Sequence, residues 1–511
     1  MTLINKYTAL ICSLLIWAAS PSSAELSVDQ VWEDILQRTK SYGYKVSSIQ
    51  SRSNGILVLS ELNLRQDRLP EGYSVNINLG NMQLIPNDDG SVTVSPSETI
   101  YWNFVILDAE PDTMTVKLIQ KTKNLLILAQ GGVGEIRYDY SAELIDVMFD
   151  EFLVQGDMMK SDEANLRISL LDVVGQSKIT GDALLESLFN FSTKNINFIA
   201  SFSPKAEDYE GTWKTRLSNV TFASAGQVPD GISLHGLLQD VSPALTSGYN
   251  NSNLFGYEVG ETDVSFEIGG HGFVLESSSA GGTVSNTISI AGIKSDSEVR
   301  SAKFEISGDL LYFPLKAELG SLLAGVNMPV MPRPEKQTFG VEFKLKELLV
   351  SQGVWTTFDP LSDLMHDPIS VNLDIKGVML LLMDVLGSDL SKVNLTDYSK
   401  IVQIVSLSLR SLTFSGFGVE VEAQSDFEFD NQDLKTFAGM PRPKGKASMK
   451  ITGVNGFLEK AVKMGLIGSQ QAMGVQMAIG MFALPVGNDM MQTEVEIDKN
   501  GGVFANGQRL R

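Results

Sequence analysis

Along most of this chain apolar and polar residues alternate with a period of two, as they do in strands with one face turned inward. Clear cases are Ile56–Leu64, Tyr73–Leu79, Met114–Leu118, Val264–Ile268, Val371–Ile375 and Val419–Glu422. Turn residues sit between them: Ser53-Asn54-Gly55, Asp88-Asp89-Gly90, Asn500-Gly501-Gly502 and Asn506-Gly507. Asn-Gly and Asp-Gly accept the positive φ values that tight hairpins require. The pattern predicts a mainly β protein, β-rich with a few helices, made of elongated, twisted antiparallel sheets in two lobes.

The early part of the chain interrupts this period. Ser27 followed three residues later by Gln30 is a capping box. Val28, Val31, Trp32, Ile35 and Leu36 then fall on one helical face, and Gly43 supplies a left-handed end. With Asp29, Glu33 and Asp34 on the outside, this helix is expected to lid a sheet. Further helices are expected near Ala183–Phe191, Phe457–Met464 and Gln470–Phe482.

A local pattern recurs: an aliphatic residue, a second three positions on, and a third two further. Leu59-Leu62-Leu64, Leu79-Met82-Leu84, Leu217-Val220-Phe222, Leu345-Leu348-Val350 and Leu409-Leu412-Phe414 follow it. Positions i and i+3 of a regular strand point to opposite faces, so the pattern predicts a β-bulge or a strand buried on both sides. Its recurrence suggests one hairpin unit used several times.

Composition narrows the setting. The 511 residues carry a net charge of −21 and are 43% hydrophobic, which fits a folded chain and supplies no basic face for nucleic acid. Met1–Ala24 combines Lys6, an apolar run from Ala9 to Ala19 and the small residues Ser22-Ser23-Ala24, a cleaved secretory signal. The one cysteine, Cys12, lies within that run. The expectation is a periplasmic protein with no stable membrane anchor after signal cleavage. Three segments follow: 1–24 signal peptide, 25–228 an N-terminal β-rich lobe opening with the amphipathic helix, and 229–511 a C-terminal β-rich lobe. A helical pair is expected near 457–484, and the lobe boundary at Ala225–Gly231, where Gly226, Pro229 and Gly231 interrupt the periodicity.

Signatures of catalysis are missing. His235, His271 and His366 are isolated, with neither a His-x-x-x-His nor a Cys-x-x-Cys spacing for zinc, and no Gly-x-Ser-x-Gly elbow occurs. His366-Asp367 before Pro368 reads as a loop, and His271 among glycines as a turn. Asp498 and Asn500 start like a calcium loop, but Arg509 stands where the closing Glu belongs. The sequence predicts no enzyme, no cofactor, no metal and no catalytic residue. The candidate contacts are apolar: Leu380 and Leu382 in the run Val378–Val385, and Met473, Met477 and Met481 at i, i+4, i+8. Such a methionine stripe more commonly fills core gaps than lines an adaptable binding surface, so its burial is expected.

Several segments resemble a known family. They are Val31-Trp32, Gly416-Phe417-Gly418, Phe427–Phe429, Gly439-Met440-Pro441, Ile451-Thr452-Gly453-Val454-Asn455-Gly456 and the closing Val503–Leu510. Together they resemble the domain of unknown function 2125 family of alphaproteobacterial periplasmic proteins, with weaker similarity to AsmA-like envelope proteins. The AsmA-like likeness implies long β-sheets whose apolar side holds lipid acyl chains. Three functional readings follow. The first is a non-enzymatic carrier binding lipid or another amphiphile in an apolar β-groove for envelope maintenance. The second is a scaffold binding another envelope protein, and the third a glycan hydrolase with paired carboxylates.

Overall fold

The computed structural model describes residues 26–66, 73–107, 113–132, 134–154, 157–159, 163–181, 184–203, 208–229, 232, 241–387 and 398–511. The signal segment 1–24 and His235 lie outside them. The chain is mainly β and forms two compact units, Met1–Glu276 with Gly308–Leu310, and Ser277–Ser307 with Leu311–Arg511. The division after Glu276 differs from the expected one at 228/229. Ala225–Pro229 belongs to a strand that pairs on both sides, Ala225 with Leu188 and Ser252. Gly226 there admits a neighbouring backbone, since a Cβ would collide with the Asn250 carbonyl oxygen.

The first unit opens with helix α1 (Val28–Ser41), capped reciprocally by Ser27 and Gln30. Gly43 follows in the left-handed region at φ 87°. The strands after it are β1 (Lys45–Ser53), β2 (Ile56–Gln66), β3 (Tyr73–Pro86), β4 (Val92–Pro96), β5 (Thr99–Leu107), β6 (Thr113–Lys123) and β7 (Leu126–Gly132). Longer strands follow: β8 (Glu135–Val154), the short β9 (Asp157–Met159), β10 (Ala164–Thr180), β11 (Leu184–Phe202) and β12 (Tyr209–Pro229). Helix α2 (Ser242–Thr246), β13 (Asn250–Tyr257), β14 (Val259–Ile268) and β15 (His271–Ser279) complete this stretch. The pairings among β3 to β8 and β10 to β12 are antiparallel. β3 pairs by one half with β5 and by the other with β4, and the two branches rejoin on β8 through β6 and β7. β10, β11 and β12 then extend the sheet.

The expected helix near Ala183–Phe191 is instead the start of β11. Leu184–Phe191 pairs residue for residue with β12, and Glu186–Phe191 also with β10. From Glu186 on, neighbouring strands pair with this segment on both edges, which outweighs the helix propensity of its Leu and Glu residues.

α1 lids the sheet as expected. Val28, Val31, Trp32 and Ile35 enter one core with Leu57, Leu59, Leu62 and Leu64 of β2 and Ile77, Leu79, Met82 and Leu84 of β3. The recurring aliphatic pattern is a bulge. Leu59 and Leu62 are both buried, at 0% and 1%, because Glu61 between them adopts φ 53° and the register shifts there. Gly80 does the same for Leu79-Met82, and Asn219 and Glu347 carry positive φ in their copies. Between Leu409 and Leu412 the ladder also shifts. Each break lets two aliphatic residues three apart share a face.

The second unit is a meander. Its strands are β16 (Gly282–Ser289), β17 (Gly292–Gly308), β18 (Leu315–Met328), β19 (Gln337–Val350), β20 (Ile369–Leu381), β21 (Val402–Gly416), β22 (Val419–Asp430) and β23 (Arg442–Thr452). Helix α3 (Gln352–Phe358) falls between β19 and β20, and α4 (Val454–Lys463) and α5 (Ser469–Phe482) follow β23. The chain ends with β24 (Leu484–Gly487), β25 (Met490–Ile497), β26 (Val503–Ala505) and β27 (Gln508–Arg509). Asn506-Gly507 makes the last hairpin, at φ 49° and 79°.

Register aligns the second unit's side chains into rows. Val299, Leu322, Leu345, Val371, Phe414, Val421, Ile451 and Met491 stand opposite one another from β17 to β25. All are apolar and half-buried. One residue away, Lys344, Asn372, Thr413, Glu422, Lys450 and Gln492 form a polar row on the other face.

Candidate functional site

The first unit holds an apolar cavity of about 180 Å³ beneath α1. Trp32 and Ile35 of α1 form its roof, Leu62, Leu64, Ile77 and Leu79 its floor, and Ile168, Leu170, Phe189 and Phe191 extend its lining along β10 and β11. The helical period supplies the roof and the bulges in β2 and β3 supply the floor. Without the bulge at Glu61, Leu62 and Leu64 would face outward.

Polar atoms in this lining are concentrated near α1. Asp34 accepts from Arg38 through Nε at 2.8 Å and Nη2 at 2.9 Å. The buried Tyr138 hydroxyl donates to Asp34 Oδ2, the oxygen that Arg38 Nε also contacts, at 2.8 Å, and the Arg38 guanidinium lies 5.5 Å from the Tyr138 ring centre. Burial pushes the Asp34 carboxyl up, and Arg38 and Tyr138 partly offset this. Burial also lifts the Tyr138 phenol well above its ordinary value, reinforced by the negative charge of Asp34. Arg38 and Tyr138 line the cavity, so its apolar interior has one charged, hydrogen-bonded rim.

Aromatic rings continue the surface across β8, β11 and β12. Tyr140 stacks on Phe189 at 6.3 Å, and Phe222 lies 5.7 Å from both Phe189 and Phe191. Tyr140, Ala142, Ile145, Val173 and Phe189 form a second buried cluster there, with Leu125 and Ile127 packed against it.

The sequence-derived candidates lie elsewhere. Met473, Met477 and Met481 are on α5 and stand 60%, 62% and 69% exposed, so the expected core-filling role is wrong. α4 and α5 do form the expected helical pair, but α5 buries only Ala472. In β20 the buried residues are Gly377, Met379 and Leu381; Leu380 alternates to the other face and Leu382 is 40% exposed. Neither set contributes to the cavity, which is built wholly from the first unit. Part of the lining nevertheless lay in features the sequence predicts: the α1 face and two copies of the aliphatic pattern. No sequence signal showed that these segments meet.

His366 binds Asp359, seven residues earlier, at 3.0 Å, and stacks on Trp355 at 4.2 Å. Asp359 also accepts the backbone N–H groups of Asp363 and Leu364, which makes this a tied loop. His271 follows a turn made by Gly269 and Gly270 at φ 57° and 77°. The Asp498 carboxylate caps its hairpin by accepting from the backbone of Asn500 and Gly502. Among the described residues, no group of three or more His, Cys, Asp or Glu side chains is placed to hold a metal ion.

No family model matches the chain, and no curated protein does. Among solved structures, the unliganded ferric citrate transporter FecA is 10% identical, with 89% of this chain and 74% of that one covered, at a TM-score of 0.17. BauA, the ferric preacinetobactin receptor from Acinetobacter baumannii, is also 10% identical, covering 80% and 66%, at a TM-score of 0.17. At such scores the overlays carry no argument about fold or role.

Proposed function

We propose that this chain is a non-enzymatic periplasmic protein that binds a lipid or another amphiphile, the first-unit cavity receiving part of an acyl chain. The resemblance to the domain of unknown function 2125 family belongs to the same proposal. The observation that carries it is the cavity: apolar from roof to floor, with its charged group at one rim. Its 180 Å³ somewhat exceeds the ~150 Å³ of an apolar cavity that takes up benzene. At about 30 Å³ per water-sized group it has room for about six methylenes, worth roughly 5 kcal/mol. Micromolar binding needs about 8 kcal/mol. The remainder of a long chain would lie along the half-buried surface of Ile168, Leu170 and Phe191.

Native mass spectrometry of protein purified from periplasm without detergent, followed by solvent extraction, tests this. A stoichiometric lipid adduct is expected, lost in Leu170→Asp while the circular dichroism spectrum stays unchanged. An adduct-free mass that persists after incubation with phospholipid and with free fatty acid would overturn the proposal.

A further inference from the structure

Helix α5 departs from the rule followed elsewhere in the fold. A helix that is apolar all round is normally buried. Of the 14 residues of α5, Ala472 is buried and Ile479 half-buried; every other one is exposed. At about 100° per residue, Met473, Val475, Met477, Met481 and Phe482 spread over more than half of its circumference. Leu466, Leu484 and Val486, each at least 50% exposed, continue the surface on either side. From Met464 to Asn488 there is no charged residue, in a chain with net charge −21.

We propose that α5, with Leu484 and Val486, is a contact surface for the interfacial layer of a lipid bilayer, which goes beyond the cavity proposal and does not depend on it. A protein groove covers a narrow stripe of a helix, whereas a fluid bilayer can wet every side that the rest of the protein leaves open, and α5 is apolar in too many directions for a groove. Protein interfaces also carry about one hydrogen bond per 100–200 Å², and α5 offers only serine and glutamine side chains for them. Unbranched methionines conform readily to fluid acyl chains. The helix is about 21 Å long, short of the ~30 Å hydrocarbon core, so it enters one leaflet. No helix among the described residues is long and apolar enough to cross a membrane. Interfacial helices commonly use cations to reach anionic lipid. With none here and an acidic protein behind it, the surface selects zwitterionic over anionic membranes.

Flotation of periplasm-purified protein with phosphatidylcholine vesicles tests this. The protein is expected to float with them. Partition should persist at about tenfold higher salt and fall when anionic phosphatidylglycerol is added. The triple variant Met473→Asp, Met477→Asp, Met481→Asp should lose at least about tenfold in partition. These side chains are exposed, so an unchanged circular dichroism spectrum is expected. A wild type that stays unbound, or a triple variant that floats as well as wild type, would overturn the proposal. So would self-association of the wild type, abolished in the variant without any vesicle binding, which would assign the surface to a second copy. Loss of the cavity adduct in the Leu170→Asp experiment leaves flotation unchanged, so the two proposals fail separately.

Discussion

Tyr140 and Gly175 stand directly opposite one another on β8 and β10, and the Tyr140 ring fills the place that a Cβ on Gly175 would take. Phe339 and Gly377 repeat the arrangement in the second unit, as do Phe202 and Gly211 in the first. A glycine in a strand forfeits packing; an aromatic ring laid across it restores that contact. Gly175→Ala is therefore expected to cost about 1–3 kcal/mol by overpacking. In the double variant with Tyr140→Ala, part of that cost should disappear, giving a non-additive cycle in urea unfolding. Additive losses would show that the ring does not depend on the glycine.

Deleting Glu61 tests the bulge. With it gone, Leu62 and Leu64, buried to 1% and 5%, must either leave the core or pull the strand out of register. A loss of about 4 kcal/mol or more is expected, the scale of two displaced core leucines. Glu61→Gly, which keeps the residue and relieves its positive φ, should be neutral or stabilising by up to about 1 kcal/mol. Chemical unfolding of the two variants separates these outcomes.

The Asp34–Tyr138 hydrogen bond predicts a pH dependence. Burial raises Asp34, so its ionised form costs stability at neutral pH, and that cost is relieved as pH falls through the raised value. Tyr138→Phe removes a donor from the carboxylate and should destabilise by about 1–3 kcal/mol at neutral pH. The loss should shrink under acid, where Asp34 is neutral. Unfolding midpoints measured across pH 4 to 8 on wild type and variant check this, and a constant difference would contradict it.

Asp359 behaves in the opposite sense. Burial acts to raise its pKa, but the N–H groups of Leu364 and Asp363 together with His366 outweigh it and hold the carboxyl below its ordinary 3.8. Its contribution is present above that ordinary value and lost as pH falls through the lowered one. Asp359→Asn should loosen the stack of Trp355 on His366, changing tryptophan fluorescence at neutral pH. The variant should also lack the acid transition expected of wild type below about pH 4.

Much of the secondary structure was legible because it depends on local periodicity. The capping box at Ser27, the left-handed Gly43, the Asn-Gly hairpins and the alternating strands all stand where the sequence predicts them. The bulges were half legible: an i, i+3, i+5 aliphatic pattern fits a bulge or a strand buried on both sides, and the shifted registers decide for the bulge. Local pattern failed where partners decide. Leu184–Phe191 holds no strong preference, and two neighbouring strands made it a strand. The division after Glu276 could not be seen either, because Gly226 and Pro229 signal a linker by composition and serve a close strand contact in space.

The sequence by itself determined the β-rich class, the lidding helix, the places where strands break phase, and the lack of any local catalytic motif. Each of these depends on residues within a turn or two of one another. Only the tertiary structure decided which apolar residues enclose a cavity and which stay uncovered. Leu64, Ile77 and Phe189 meet under Trp32 through long-range pairing. The methionines of α5, equally apolar, stay exposed, with no element among the described residues covering them. Hydrophobicity is a property of each side chain, but burial depends on what the rest of the chain brings to it.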